Sequence, residues 1–215
     1  MTVPATLDHL LWAVPDLRAG VAELASLTGV EPVPGGAHPG LGTANYLVGL
    51  RGTAGPAYLE VIGPDPEQDL PADEVSLGVG HVRRSSLHTW AVRPADLSAT
   101  VREAAEAGVD VGEVRATERT TPDGRLLRWR MTSRPQLGFG GVQPFLIDWL
   151  DTPHPSAGDL PVLTLTSLTA QATDVAAAER MLTALGAPLP VTPGPRDALR
   201  AVLQTPNGEV VLATA

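Results

Sequence analysis

The chain has 215 residues, 43% of them hydrophobic, a formal charge of −9 and no cysteine. That length and apolar share support one large domain or two small ones with a real core. The negative charge repels a phosphate backbone and argues against nucleic acid as a partner, no run is long and apolar enough to span a bilayer, and the absent thiols remove cysteine nucleophiles, disulfides and thiolate-held metals. Every basic residue is Arg, so Schiff-base lysines are also absent. The opening MTVPATLDHL lacks a basic-then-apolar leader, which reads as a mature cytoplasmic protein.

In chain order, an apolar run from His9 leads to Asp16, an amphipathic stretch and Gly29. This reads as strand, turn and helix. An Asp before a helix accepts from the orphan N–H groups of the first turn, and a Gly past the last turn takes the left-handed closing conformation. Leu17, Val21, Leu24 and Leu27 share one helical face. Strands are expected near residues 30–34, 43–50 and 57–63, followed by a Pro-, Asp- and Gly-rich linker at 64–85.

The pattern restarts at Thr89, with Asp96, a helical face of Leu97, Val101 and Ala104, and Gly108. Strands are expected near 111–119, 125–133 and 143–150, with a PDG turn at 122–124 and a second linker at 151–161. A third copy runs from Ser167 through Asp174 and Gly186, with Val175, Ala178, Leu182 and Leu185 on one face. Its strands, near 198–204 and 209–214, are weaker and joined by the turn signal Pro206, Asn207, Gly208. The repeat sets the fold class as α+β: tandem βαβββ units forming curved mixed sheets with helices on the outside. Units of about 5–65 and 86–152 make one domain, 5–155, and 160–215 is a third, degenerate unit. Two such sheets side by side curve into a trough that is either a core or a ligand pocket.

Several residues carry chemistry within that frame. His9 starts an apolar strand and is either a metal ligand or a strand-end histidine bonded to a carbonyl. Glu60, flanked by Leu59 and Val61, must face water, a partner or a metal, because an unpaired buried charge is costly. Asp148, between Ile147 and Trp149, is read the same way. His38 sits in the loop GGAHPGLG, a lid or clamp over the trough or an exposed loop. Asn45 bonds a ligand or caps a turn. Arg128 and Arg130 share a strand face and either hold a carboxylate or phosphate beside Trp129, or stand on a solvated face with Trp129 in the core. Trp12 and Trp90 read as core, and His81 and His154 as exposed linker residues. No GxSxG elbow, Walker A loop, HExxH motif or dinucleotide fingerprint is present.

The segments LDHLLWAVPDL (7–17), GGAHPGLGTANYLVGL (35–50), AYLEVIG (57–63), TPDGRLLRWRM (121–131) and PFLIDWLDTPHP (144–155) together resemble the glyoxalase-like domain proteins of the vicinal oxygen chelate superfamily. The resemblance implies a divalent metal between paired units, with ligands on the first and last strands of each. It places His9 and Glu60 in unit one and Asp148 in unit two, donors suited to Mn, Fe, Ni, Zn or Mg. The fourth ligand is His88 if its strand carries a bulge, and otherwise Thr89 takes the position. Relatives favour GTxN around Asn45, and Ala44 stands where many of them have His.

Two functions follow from this resemblance. One is a metal-dependent lyase, isomerase or oxygenase that stabilises an oxyanion, with Glu60 or Asp148 moving a proton and His38, Asn45, Arg128 and Trp129 on the substrate. The other is a metal-free protein that binds or sequesters a small ligand. The third unit either docks on the first two or pairs with its copy in a homodimer.

Overall fold

The computed structural model describes residues 3–4, 6–121, 123–134 and 136–215; Pro122 of the expected PDG turn lies outside them. Unit one is β1 (Leu7–Ala13), α1 (Leu17–Thr28), β2 (Val33–His38), β3 (Thr43–Arg51) and β4 (Ala57–Pro64). Unit two is β5 (Ser86–Val92), α2 (Leu97–Glu106), β6 (Glu113–Thr120), β7 (Leu126–Ser133) and β8 (Phe145–Asp148). The third is β9 (Val162–Ala172), α3 (Val175–Ala184), β10 (Val191–Pro193), β11 (Ala198–Thr205) and β12 (Gly208–Ala213). No described helix is long and apolar enough to cross a membrane.

The three helices start the same way: Asp16, Asp96 and Asp174 accept from the backbone N–H of Ala19, Ala99 and Ala177. Gly29 closes α1 in the left-handed conformation, φ 72°. The buried stripe of α1 is Gly20, Val21, Leu24 and Thr28. Leu27, expected on that face, is 43% exposed, because Thr28 takes the inner place one turn after Leu24.

The strands form one curved sheet in the order β12-β11-β9-β3-β4-β1-β5-β8-β7-β6, with β2 paired to β3 and β10 to β9. Units one and two join through antiparallel β1 and β5, while β1–β4 and β5–β8 are parallel. The third unit adds to unit one in parallel, residues 49–51 of β3 beside 162–164 of β9.

Alternation along the strands divides the apolar residues into two layers. Leu10, Trp12, Leu59, Val61, Trp90 and Leu146 face the helices and pack with Leu24, Leu97 and Leu182 in a core that continues into the third unit through Leu163, Leu165 and Leu168. Leu11, Tyr58, Ile62, Trp129, Phe145, Ile147 and Trp149 face the concave side. Each such side chain fully buried contributes roughly 1.5–3 kcal/mol.

Two bulges interrupt the β1–β5 pairing. Leu7 opposes Val92 and His9 opposes Ala91, leaving Asp8 as an extra residue. Leu11 opposes Thr89 and Trp12 opposes Leu87, leaving His88 as the other. A bulge re-aims the side chains beside it, and both decide the contents of the trough.

Candidate functional site

Glu60 lies at the centre of the concave face, on β4 between Tyr58 and Ile62 at the two-residue period that puts all three on one side of the sheet. His9 enters from β1, Thr43 and Asn45 from β3, His38 from the end of β2 and Arg119 from β6. Trp129, Phe145, Ile147 and Trp149 wall the unit-two side. The cavity they enclose measures about 40 Å³, room for roughly three water-sized groups. Leu41, Ser76, Leu77 and Met131 separate it from an outer groove of about 620 Å³, which they also line.

Hydrogen bonds set the proton positions on the unit-one side. Asn45 Nδ2 donates to Glu60 Oε1 at 2.5 Å, which fixes the amide orientation because a carboxylate oxygen only accepts. The other Nδ2 hydrogen faces His38 Nε2 at 3.3 Å. His38 Nε2 is therefore the acceptor, and Nδ1–H donates to Thr43 Oγ1 at 2.8 Å. Burial holds the His38 pKa down to about 4, with Arg119 and His9 adding to the effect and Glu60 opposing it. His38 is thus a neutral imidazole at pH 7.

His9 stands between two carboxylates. Its Nδ1 is 2.7 Å from Asp8 Oδ1, and its Nε2 is 3.5 Å from Glu60 Oε2. Its ring stacks on Tyr58 with centroids 4.6 Å apart. Asp8 is brought to the same side as its neighbour by the first bulge, and it also accepts from Trp149 Nε1 at 3.1 Å. Arg93 Nη1 and His154 Nε2 lie 3.4 and 3.3 Å from Asp8 Oδ2. Burial alone would push the Asp8 carboxyl up; contacts with His154 and His9 outweigh it and hold the group well below the usual carboxylate range.

The trough thus brings together His9, His38, Asn45, Glu60 and Trp129 among the residues singled out in the sequence. It does not take the others. Asp148 follows Ile147, which faces the cavity, so it points the opposite way and is a correction to the expected ligand and proton carrier. It pairs with Arg130 across β7–β8 at 2.5 Å and caps Leu150 N at 2.9 Å. The Arg130 hydrogen bond outweighs a smaller desolvation effect and lowers its pKa. Arg128 shares that outer face and bonds Glu118 at 3.3 Å, so it does not reach the cavity.

His88 does sit at a bulge, yet its Nε2 faces the Leu77 carbonyl at 2.7 Å, and burial lowers its pKa. Thr89 bonds the carbonyls of Gly141 and Gln143. Neither lines the inner cavity. His154, read as an exposed linker residue, has a side chain only 8% exposed, packed against Tyr58 and Trp149.

The donor set does not fit a metal shared between the units. The unit-two wall offers Phe145 and Ile147 where ligands are expected. On the unit-one side His9, His38 and Glu60 come nearest to a set, with His38 Nε2 4.0 Å from Glu60 Oε1. Asn45 occupies both of those atoms, and Arg119 brings a positive charge to the same cavity. Among the described residues no three His, Asp or Glu side chains are spaced to hold a cation.

Sequence reasoning passed over Asp8, Tyr58, Arg119 and Trp149. For Asp8 the available signal was an acid inside an apolar strand beside a histidine; for Arg119 the strand gave none, because Arg115 on the same face is exposed.

Residues 7–186 match the family described as Glyoxalase-like domain. No curated protein matches the sequence significantly. Among solved structures, a hypothetical protein from Staphylococcus aureus is similar at 14% identity and TM-score 0.63, over 96% of this chain and 84% of that one. A mutant of 4-hydroxymandelate synthase from Streptomyces coelicolor is similar at 16% identity and TM-score 0.52, over 98% of this chain and 63% of the synthase. A variant of Streptomyces coelicolor methylmalonyl-CoA epimerase in complex with 2-nitronate-propionyl-CoA gives 20% identity and TM-score 0.44, over 67% of this chain and 95% of that one.

Proposed function

The chain belongs to the glyoxalase-like domain family of the vicinal oxygen chelate superfamily, and from that premise we propose that its trough binds a small molecule and works by proton transfer at Glu60 rather than through a chelated metal. The observation that carries this reading is the setting of Glu60: the one acid among the described residues lining the cavity, held by Asn45 at one oxygen and facing His9 with the other. A carboxylate aimed into a largely apolar cavity is a proton acceptor in search of an acidic hydrogen.

The neighbouring groups suit that task. Asn45 fixes the carboxylate in one rotamer, so little reorganisation is needed when a proton arrives. His9 takes its orientation from Asp8 and presents Nε2 to the second oxygen, which lets the imidazole share a proton with Glu60. Neutral His38 secures Asn45 without adding charge. Isomerase or lyase chemistry through removal of a proton next to a carbonyl follows from these parts. Every residue involved comes from one chain, and the protein is taken as cytoplasmic.

Two measurements test this. Exchange of the α-hydrogen of small carbonyl compounds with D2O, followed by NMR, is expected for the native protein and lost in Glu60→Gln. Melting with and without a chelator is expected to be unchanged. Bound Mn, Fe, Ni, Zn or Mg in purified protein, together with chelator-sensitive melting, would overturn the metal-free reading.

A further inference from the structure

We propose that the inner cavity receives the carboxylate of a small organic acid, with the Arg119 guanidinium as its counter-ion. The proposal rests on the trough being the ligand site. Arg119 is 3% exposed. Its Nη1 is fully buried without a hydrogen-bond partner, and among the described residues the guanidinium makes no hydrogen bond or ion pair.

The contrast with the other arginines is sharp. Arg128 has Glu118, Arg130 has Asp148, Arg134 has Asp110, Arg125 has Asp123 and Arg115 has Glu113, all of them more exposed. Other arginines without a carboxylate partner, such as Arg18, Arg51 and Arg102, stand exposed to water, whereas Arg119 is buried without one. A group with five fixed donors and no acceptor capacity is costly to bury unpaired. Its place in the fold is enforced: an ideal Cβ on Gly36 would lie 3.1 Å from both Arg119 Nη1 and the Thr120 carbonyl, so β2 closes over β6 at this point.

Size and charge narrow the ligand. A cavity of about 40 Å³ admits a carboxylate and a short apolar stem, and a guanidinium fork matches the two oxygens of a carboxylate. Phosphate is larger, and its second charge would sit in the same cavity as Glu60. The net charge of −9 gives no long-range attraction for anions, so selectivity for acids falls to this one side chain.

The test uses the full chain, with propionate, its neutral isostere propionamide, and inorganic phosphate as probes. Emission from Trp129 and Trp149, which line the cavity, and melting temperature are the readouts. Propionate is expected to act saturably, with propionamide and phosphate roughly tenfold or more weaker. Arg119→Met is expected to lose the propionate response by a similar factor while melting at or above the native temperature, because it removes an unpaired buried charge. Equal responses to propionate and propionamide overturn the proposal. So does an Arg119→Met protein that binds propionate normally, or one that melts well below the native chain, which would make Arg119 a structural element. Glu60→Gln is expected to keep or tighten propionate binding, since it removes a like charge. Absent propionate binding with intact Glu60-dependent exchange of a neutral carbonyl compound sinks only the carboxylate. Retained propionate binding with exchange indifferent to Glu60→Gln sinks only the proton transfer.

Discussion

Replacing Asp8 by Asn tests whether a buried carboxylate organises the trough. Asp8 is fully buried, and it accepts from His9 Nδ1 and Trp149 Nε1. Hydrogen bonds to a charged acceptor are worth about 1.5–3 kcal/mol each. Asn retains one acceptor oxygen and turns an NH2 toward donors, so one bond is lost and the other weakened to the neutral range. The expected destabilisation is about 3 kcal/mol, a sizeable part of the 5–15 kcal/mol typical of a domain. Urea unfolding should show the midpoint fall by about 1 M with the slope unchanged. The loss should also depend on pH. The folded-state carboxyl is held below its ordinary 3.8, so its contribution is present above that value and drains away as pH falls through and below it. Native and Asp8→Asn curves should therefore converge in acid. A loss under about 1 kcal/mol at neutral pH, or a gap that persists at low pH, would refute this account of Asp8.

Other substitutions probe the surrounding parts. Gly35→Ala drives a Cβ into Asn45 Oδ1; it should cost about 1–3 kcal/mol and, by displacing Asn45, slow the Glu60-dependent exchange measured by NMR. His38 titrates near 6.5 when unfolded and about 4 when folded. The unfolded chain thus binds the proton first, and stability should fall by roughly 3 kcal/mol between pH 7 and pH 4 through this group. His38→Gln should remove that share of the slope in parallel urea titrations. Asp148→Asn, on the outer face, should shift stability by less than about 1 kcal/mol and leave exchange rates unaltered; a large drop in exchange would return Asp148 to the site.

The repeat was legible because its signals are local. An Asp cap, a helical stripe and a closing Gly need no knowledge of the rest of the chain; an acid among apolar neighbours marked Glu60, and the family resemblance gave His9 and Glu60 their places. The errors arose where facing depends on a partner strand. Asp148 ends a four-residue strand, and its side is set by pairing with β7, which the local sequence does not display. His88 required a bulge, and the bulge exists, but the linker carbonyl of Leu77 claims its ring. Arg119 was hidden by its own strand, which is exposed along most of its length; nothing local says that β2 folds over that end. His154 was misread because composition alone marks a Pro-rich linker as solvent-facing, whereas this one tucks its imidazole under the sheet against Trp149.

Strand β3 carries Asn45, and its outer rim is shared between β2 at one end and β9 at the other. The third repeat has no place in the cavity, yet it keeps that strand from being a frayed margin. Unpaired margins open readily and invite pairing with foreign strands. Moving the free margin outward to β12 leaves β3 and β4 among the segments expected to exchange their amide hydrogens most slowly. It also means that another chain adding to the β12 margin would be separated from Asn45 by the whole width of β11 and β9. A repeat that contributes no side chain to the cavity thus acts as a selvedge for the fabric that does.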